Sequence, residues 1–199
     1  MIPFYRNIPI ISYIIQKGTC HECSVSISLR YPFIEIISGI VLVFSIKFLS
    51  YPESLIFYWM FIHLFVLSII DQQWMEIPIS IIISMFIGMA LYNYIWSINF
   101  VEPLYGLIVG TGFITFVLGF NWIIFKKQTM GYGDLIIIAI LGLWLGAINI
   151  FFSIFIASII ALLVFLIYSF FYGFDRSRDL PFVPYLSIAA ISIYLFNFL

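Results

Sequence analysis

The chain has 199 residues, of which 64% are hydrophobic, 21% aromatic and only 9% charged, and its mean hydropathy is +1.19. Soluble domains are roughly half apolar, so this composition excludes a water-soluble enzyme or binding module and requires the lipid bilayer as solvent. Eight Lys and Arg against nine Asp and Glu leave a net charge of −1, which provides no basic surface for nucleic acid.

Taken in order, the first 18 residues mix Arg6, Asn7 and Lys17 with an apolar run too short to span. No cleavable signal is expected there, and insertion is expected to begin with the first long helix. Residues 8–15, with Pro9 among them, predict a short helix lying on the membrane surface. Cys20 and Cys23 form a single C-x-x-C in a basic juxtamembrane segment, a spacing that points to metal or redox chemistry more than to a structural staple.

Stretches approaching the roughly 20 apolar residues of a membrane helix then follow at residues 32–49, 55–70, 77–97, 104–125, 135–147, 148–172 and 182–199. The fifth and sixth are separated only by a turn signal around Gly146 and Asn149. The reading is an all-α, polytopic transmembrane bundle of about seven helices. Residues 1–31 form a short cytoplasmic N-terminal segment and residues 32–199 the membrane domain, with no repeat or linker.

Positive charge sets the orientation. Arg6, Lys17, Arg30, Lys126, Lys127, Arg176 and Arg178 fall on one side of seven such spans and only Lys47 on the other. The N-terminus is therefore expected in the cytoplasm and the C-terminus outside, provided that the fifth and sixth spans are separate. The same count puts Asp71, after the second span, and Asp134, before the fifth, on one membrane face.

Ionisable groups at the ends of membrane helices are costly unless paired, solvated or used. Asp134 follows Gly131-Tyr132-Gly133, where a carboxylate can also serve simply to cap free backbone N–H groups. Asp71 closes an apolar helix, and an anion at a helix C-terminus is disfavoured by the dipole, so Asp71 is expected to act as the acid and Asp134 as the base. Two adjacent carboxylates share a proton, and such a pair can activate water while polarising a peptide carbonyl. Gly131 and Gly133, lacking Cβ, are expected to permit unusual backbone angles and the close approach of an extended substrate. An ion or proton site in a transporter uses the same residue types and stays open at this point. Glu35 and Glu76 read as a helix-start anion and a solvated residue, and His63 as a hydrogen-bonded packing histidine.

Two segments, Asp71-Gln72-Gln73-Trp74-Met75-Glu76-Ile77-Pro78 and Met130-Gly131-Tyr132-Gly133-Asp134 with Gly142 and Gly146 downstream, resemble the signatures of the bacterial type IV prepilin peptidases. The likeness extends to Asn7-Ile8-Pro9, Gly18, Cys20, Cys23, residues 27–35 and Pro181-Phe182-Val183-Pro184-Tyr185, and so covers nearly the whole chain. It implies a GxGD-type intramembrane aspartyl protease of the inner membrane, with Asp71 and Asp134 catalytic and Gly131, Gly133 and Pro78 shaping the site. It implies prepilin or pseudopilin substrates, met in the lipid bilayer and cut after a glycine at the cytoplasmic face to release a short basic leader. Proteolysis of this kind needs no cofactor; many members also methylate the new N-terminus with S-adenosylmethionine.

The sequence departs from the family pattern at several points. The usual first transmembrane helix and upstream C-x-x-C are not found among these 199 residues, so Cys20 and Cys23 are expected to supply two of the four ligands of a tetrahedral zinc site, leaving zinc and methylation open. Ile79, Ile136 and Val183 stand where Asp or Asn, Lys, and Gly are common. These departures keep a non-catalytic prepilin-binding relative as an alternative, and the oligomeric state is not legible.

Overall fold

A computed structural model describes residues 8–96, 100–126, 131–175 and 179–198. Arg6, Lys127, Arg176 and Arg178 of the charge count lie outside the described residues, as do Asn7, Ser97, Met130 and Leu199. The described residues are all-α, with one isolated bridge between Thr19 and Ser26. In chain order the helices are α1 (Ile11–Ile15), α2 (Arg30–Phe48), α3 (Glu53–Trp74), α4 (Ile79–Trp96), α5 (Val101–Phe125), α6 (Tyr132–Leu145), α7 (Ala147–Tyr172) and α8 (Val183–Phe198). The short α1 falls where a surface helix is expected, and the seven others follow the seven apolar stretches.

By length and composition α2, α3, α4, α5 and α7 can each cross a membrane, which makes this a multi-pass membrane protein. The other two are shorter than a span, with 14 residues in α6 and 16 in α8. At 1.5 Å per residue α6 rises roughly 21 Å, against about 30 Å of hydrocarbon. Its length is set by Gly146, whose φ of 78° ends α6 and begins α7, a conformation open to glycine and strained for other residues. The split on which the orientation argument depends is therefore present.

The chain divides into two compact units, Met1–Tyr58 and Trp59–Leu199. In the first, Glu35 on α2 accepts the backbone N–H of Ile10, at the start of α1, at 2.7 Å. Its carboxylate thus satisfies one of the N–H groups that a helix start leaves open.

In the second unit, α5 and α6 cross at a glycine contact. A Cβ built on Gly106 would lie 2.0 Å from the carbonyl oxygen of Gly142, and one on Gly142 would lie 2.4 Å from that of Gly106. Small residues let membrane helices approach backbone to backbone and so gain packing that lipid alone cannot supply. Ile137, Ile138 and Leu141 of α6 are fully buried around this crossing, and Trp144 stacks on Tyr194 of α8 with ring centres 4.5 Å apart. Ser68 of α3 donates to Ser187 of α8 at 3.0 Å or accepts from it. His63 lies within hydrogen-bond distance of the Trp59 carbonyl oxygen at 2.8 Å and of Ser84 Oγ at 2.9 Å. Both ring nitrogens are thereby engaged, as expected of a packing histidine.

Candidate active site

Asp71 stands in the last turn of α3, and only 5% of it is exposed. Burying a carboxylate at a helix C-terminus, where the backbone presents carbonyls, is unfavourable. The compensation comes from 112 residues further on, where the backbone N–H of Val183 donates to Asp71 Oδ2 at 3.1 Å and the N–H of Phe182 contributes a second bond. Val183 is the first residue of α8, so its N–H has no partner within that helix. Pro184 at the second position has no N–H to leave unpaired and holds φ near the helical value. Asp71 therefore caps α8, and both aspartates meet helix N-termini. The α8 N–H groups offset the α3 dipole at Asp71, so helix ends alone do not assign Asp71 as acid and Asp134 as base.

Asp134 is the third residue of α6 and half-buried. Its carboxylate accepts the backbone N–H of Gly131, the residue that begins the helix. This is one half of a capping box. Capping and a place at the cavity therefore coexist in one residue.

Asp71 and Asp134 line a single cavity of about 870 Å³ and are near enough for their charges to interact. Gly131 and Gly133 border it, as do Met75 and Ile77 from the α3–α4 connection. Ile114, Val117 and Leu118 of α5 form an apolar wall, while Ser158 of α7 and Asp179, Leu180 and Phe182 before α8 complete the lining. An apolar cleft with a few converging polar groups is the usual form of a binding site.

The glycines act differently from the expectation of unusual backbone angles. Gly131 has an ordinary extended backbone, with φ −71° and ψ 147°. Gly133 matters for what it leaves out, since a Cβ there would lie 2.7 Å from Ile77 Cδ1 and 3.0 Å from Ile77 Cβ. It admits Ile77 against the start of α6 and so closes one side of the cavity. Gly133→Ala is expected to destabilise the protein by about 1–3 kcal/mol through overpacking, with most of the loss recovered in Gly133→Ala/Ile77→Ala. Equal melting temperatures for wild type and the single variant would contradict this packing role. Pro78 does not line the cavity; it follows Ile77, and its carbonyl accepts the N–H groups of Ile81 and Ile82 as α4 begins.

Cys20 and Cys23 belong to the first unit. Backbone N–H groups of Cys23 and Glu22 point at the Cys20 sulfur and hold its thiol below the ordinary value. Ser24 N–H closes the turn on the Cys20 carbonyl at 2.8 Å. Among the described residues no third His, Cys, Asp or Glu gathers with them, so the pair alone does not fit a tetrahedral zinc site.

The bonds from Phe182 and Val183 to Asp71 and the packing of Ile77 on Gly133 are the parts that sequence reasoning missed. The one available signal was Pro184, which marks a helix start with exposed N–H groups.

The fold and cavity define a class: a membrane helix bundle that holds two interacting carboxylates in one cleft. The sequence profile of the type IV leader peptidase family matches residues 56–167, and that of the bacterial peptidase A24 N-terminal domain matches residues 1–48. The chain belongs to the type IV leader peptidase family. It is 30% identical over 199 residues to the prepilin leader peptidase/N-methyltransferase of Dichelobacter nodosus, covering 96% of this chain and 66% of that protein. The like-named proteins of Pseudomonas putida and Stutzerimonas stutzeri are 28% and 26% identical, each over 93% of this chain and 65% of theirs. The chain thus spans about two thirds of the length of these curated relatives. No solved structure matches it.

Proposed function

We propose that this protein is an aspartyl endopeptidase of the inner membrane that removes the leader of a prepilin or pseudopilin by cutting after a glycine at the cytoplasmic face. The observation that carries the reading is the pair Asp71 and Asp134 on one cavity. The names of the relatives supply the substrate class.

The two carboxylates share one proton, because two anions near enough to interact repel each other. The ionised carboxylate takes a proton from a water held between them, while the protonated one donates a hydrogen bond to the scissile carbonyl. Water oxygen bonds to the carbonyl carbon. When the tetrahedral centre collapses the C–N bond breaks and a proton passes to the departing amine. The N–H groups at the start of α8 keep the Asp71 carboxyl in position through these transfers. With the N-terminus in the cytoplasm, both aspartates lie on the cytoplasmic side, where a basic leader stays while its apolar helix remains in lipid.

The test is reconstitution of the full chain with a prepilin in liposomes. The expected result is a shortened prepilin and no rise in proton flux across the vesicle membrane. Flux that depends on Asp71 and Asp134 while the prepilin stays whole would establish the transporter alternative instead. S-adenosylmethionine added to the same mixture tests the second activity in the relatives' names, read as a mass gain of one methyl group on the new N-terminus.

A further inference from the structure

Asp71 is not the sole point at which α3 holds the start of α8. Ser68 lies one turn before Asp71 on α3 and Ser187 one turn after Val183 on α8, and their hydroxyl oxygens are 3.0 Å apart. The two helices are thus joined twice along one seam, by Asp71 with Val183 at 3.1 Å and, one turn of about 5.4 Å further along, by the two serines. We infer that Ser68 and Ser187 are positioning residues, which keep the N–H groups of α8 on the Asp71 carboxyl while its proton comes and goes. This rests on the proposed function, since it gives the serines a part in that reaction.

The bond is formed away from water. Leu64, Leu67 and Asp71 make up a buried stripe of α3, and Val183, Leu186 and Ala190 one of α8, none more than 5% exposed. Ser187 lies in the second stripe and is itself buried, so its hydroxyl needs a protein partner. The protons can be assigned. Ser68 Oγ is 2.7 Å from the Leu64 carbonyl oxygen, which can only accept, so Ser68 donates its single proton there. Ser187 then donates to Ser68, and the direction of the bond between the helices is fixed.

The two joints differ in what sets their strength. A hydrogen bond to a carboxylate is about twice as strong as one between neutral groups, so the bond from Val183 weakens whenever Asp71 takes up the shared proton. The serine bond involves no ionisable group and has the same strength in both states. It therefore holds α8 in place at the step where the charged bond is weakest. A bond that served only as glue between membrane helices would affect the melting temperature and leave turnover by the folded protein unchanged.

The test uses the full chain reconstituted with a prepilin and compares Ser68→Thr with Ser68→Val, which differ in a hydroxyl and hardly in shape. Ser68 is half-buried, which leaves room for either side chain. Threonine can still bond the carbonyl four residues back and accept from Ser187. The expected kcat is close to wild type for Ser68→Thr and about tenfold lower for Ser68→Val, part of the loss that a misplacement of 1 Å can cause. KM is expected to change by less than about twofold, as when an interaction acts in the transition state alone. Ser187→Ala is expected to match Ser68→Val, and the two together to be no slower than either, since the serines act as a unit. Hydrogen–deuterium exchange at the Phe182 and Val183 amides is expected to be faster in Ser68→Val than in Ser68→Thr.

A loss confined to melting temperature overturns the inference, and so does a fall in kcat that leaves exchange at Phe182 and Val183 unaltered. A prepilin cut by Ser68→Val at the wild-type rate removes the positioning role and leaves the peptidase reading standing. A prepilin that the wild type leaves whole removes the peptidase reading, and the assignment of the serines with it.

Discussion

Asp71→Asn and Asp134→Asn are each expected to lower prepilin cleavage by about 10³-fold, the scale of losing a positioned acid or base, while the protein still folds. An asparagine side chain keeps the size of the carboxyl and can still accept the Val183 N–H that Asp71 accepts at 3.1 Å. It cannot carry or exchange the proton that the pair shares. Melting temperatures and peptide affinity separate the two contributions, since a variant that binds and melts normally has lost chemistry alone. The double variant is expected to be no slower than either single one, because members of a catalytic unit do not add. Full activity in either single variant would remove the shared-water mechanism.

The second large effect concerns the crossing of α5 and α6. Gly106→Leu is expected to destabilise the bundle by more than about 3 kcal/mol, the upper end of ordinary overpacking. The clash is with the backbone of Gly142, only 2.0 Å from the position of a Gly106 Cβ, and backbone cannot rotate away as a side chain does. A loss of that size removes a large share of the stability of an ordinary domain. The readout is the yield of monodisperse protein in detergent and its melting temperature. Gly112→Ala on the same helix is the control, since nothing lies within 4 Å of a Cβ there, and it is expected to melt no lower than wild type. Because α6 carries Asp134, loss of the crossing also displaces one of the two carboxylates. Equal yields and melting temperatures for Gly106→Leu and Gly112→Ala would show that the glycine contact is dispensable.

Much of the fold was legible because lipid imposes a simple rule on sequence. Each of the seven apolar stretches became a helix, and Gly146, flagged only as a turn, separates α6 from α7 through its positive φ. The lengths of α6 and α8 were less legible. Apolar content marks where a chain can enter lipid, but helix ends depend on residues such as Gly146 and on the run into Pro184.

The site was legible as residue types and not as geometry. The sequence says that two carboxylates exist; their meeting depends on how α3, α5, α6, α7 and the run before α8 surround one cavity. The bond from Val183 to Asp71 joins positions 112 apart and leaves no local pattern. This is why a dipole argument confined to α3 misassigned the environment of Asp71. Gly133 was noticed for its freedom of backbone, whereas its contribution is the room it gives Ile77.

The proposed mechanism requires that Asp71 and Asp134 together hydrolyse one peptide bond. The most direct measurement is the mass spectrum of a prepilin-like peptide after incubation with the purified protein. The expected result is two fragments divided after the glycine, absent with Asp134→Asn. An intact peptide that the folded protein nevertheless binds, or the same fragments from Asp134→Asn at the wild-type rate, would contradict it.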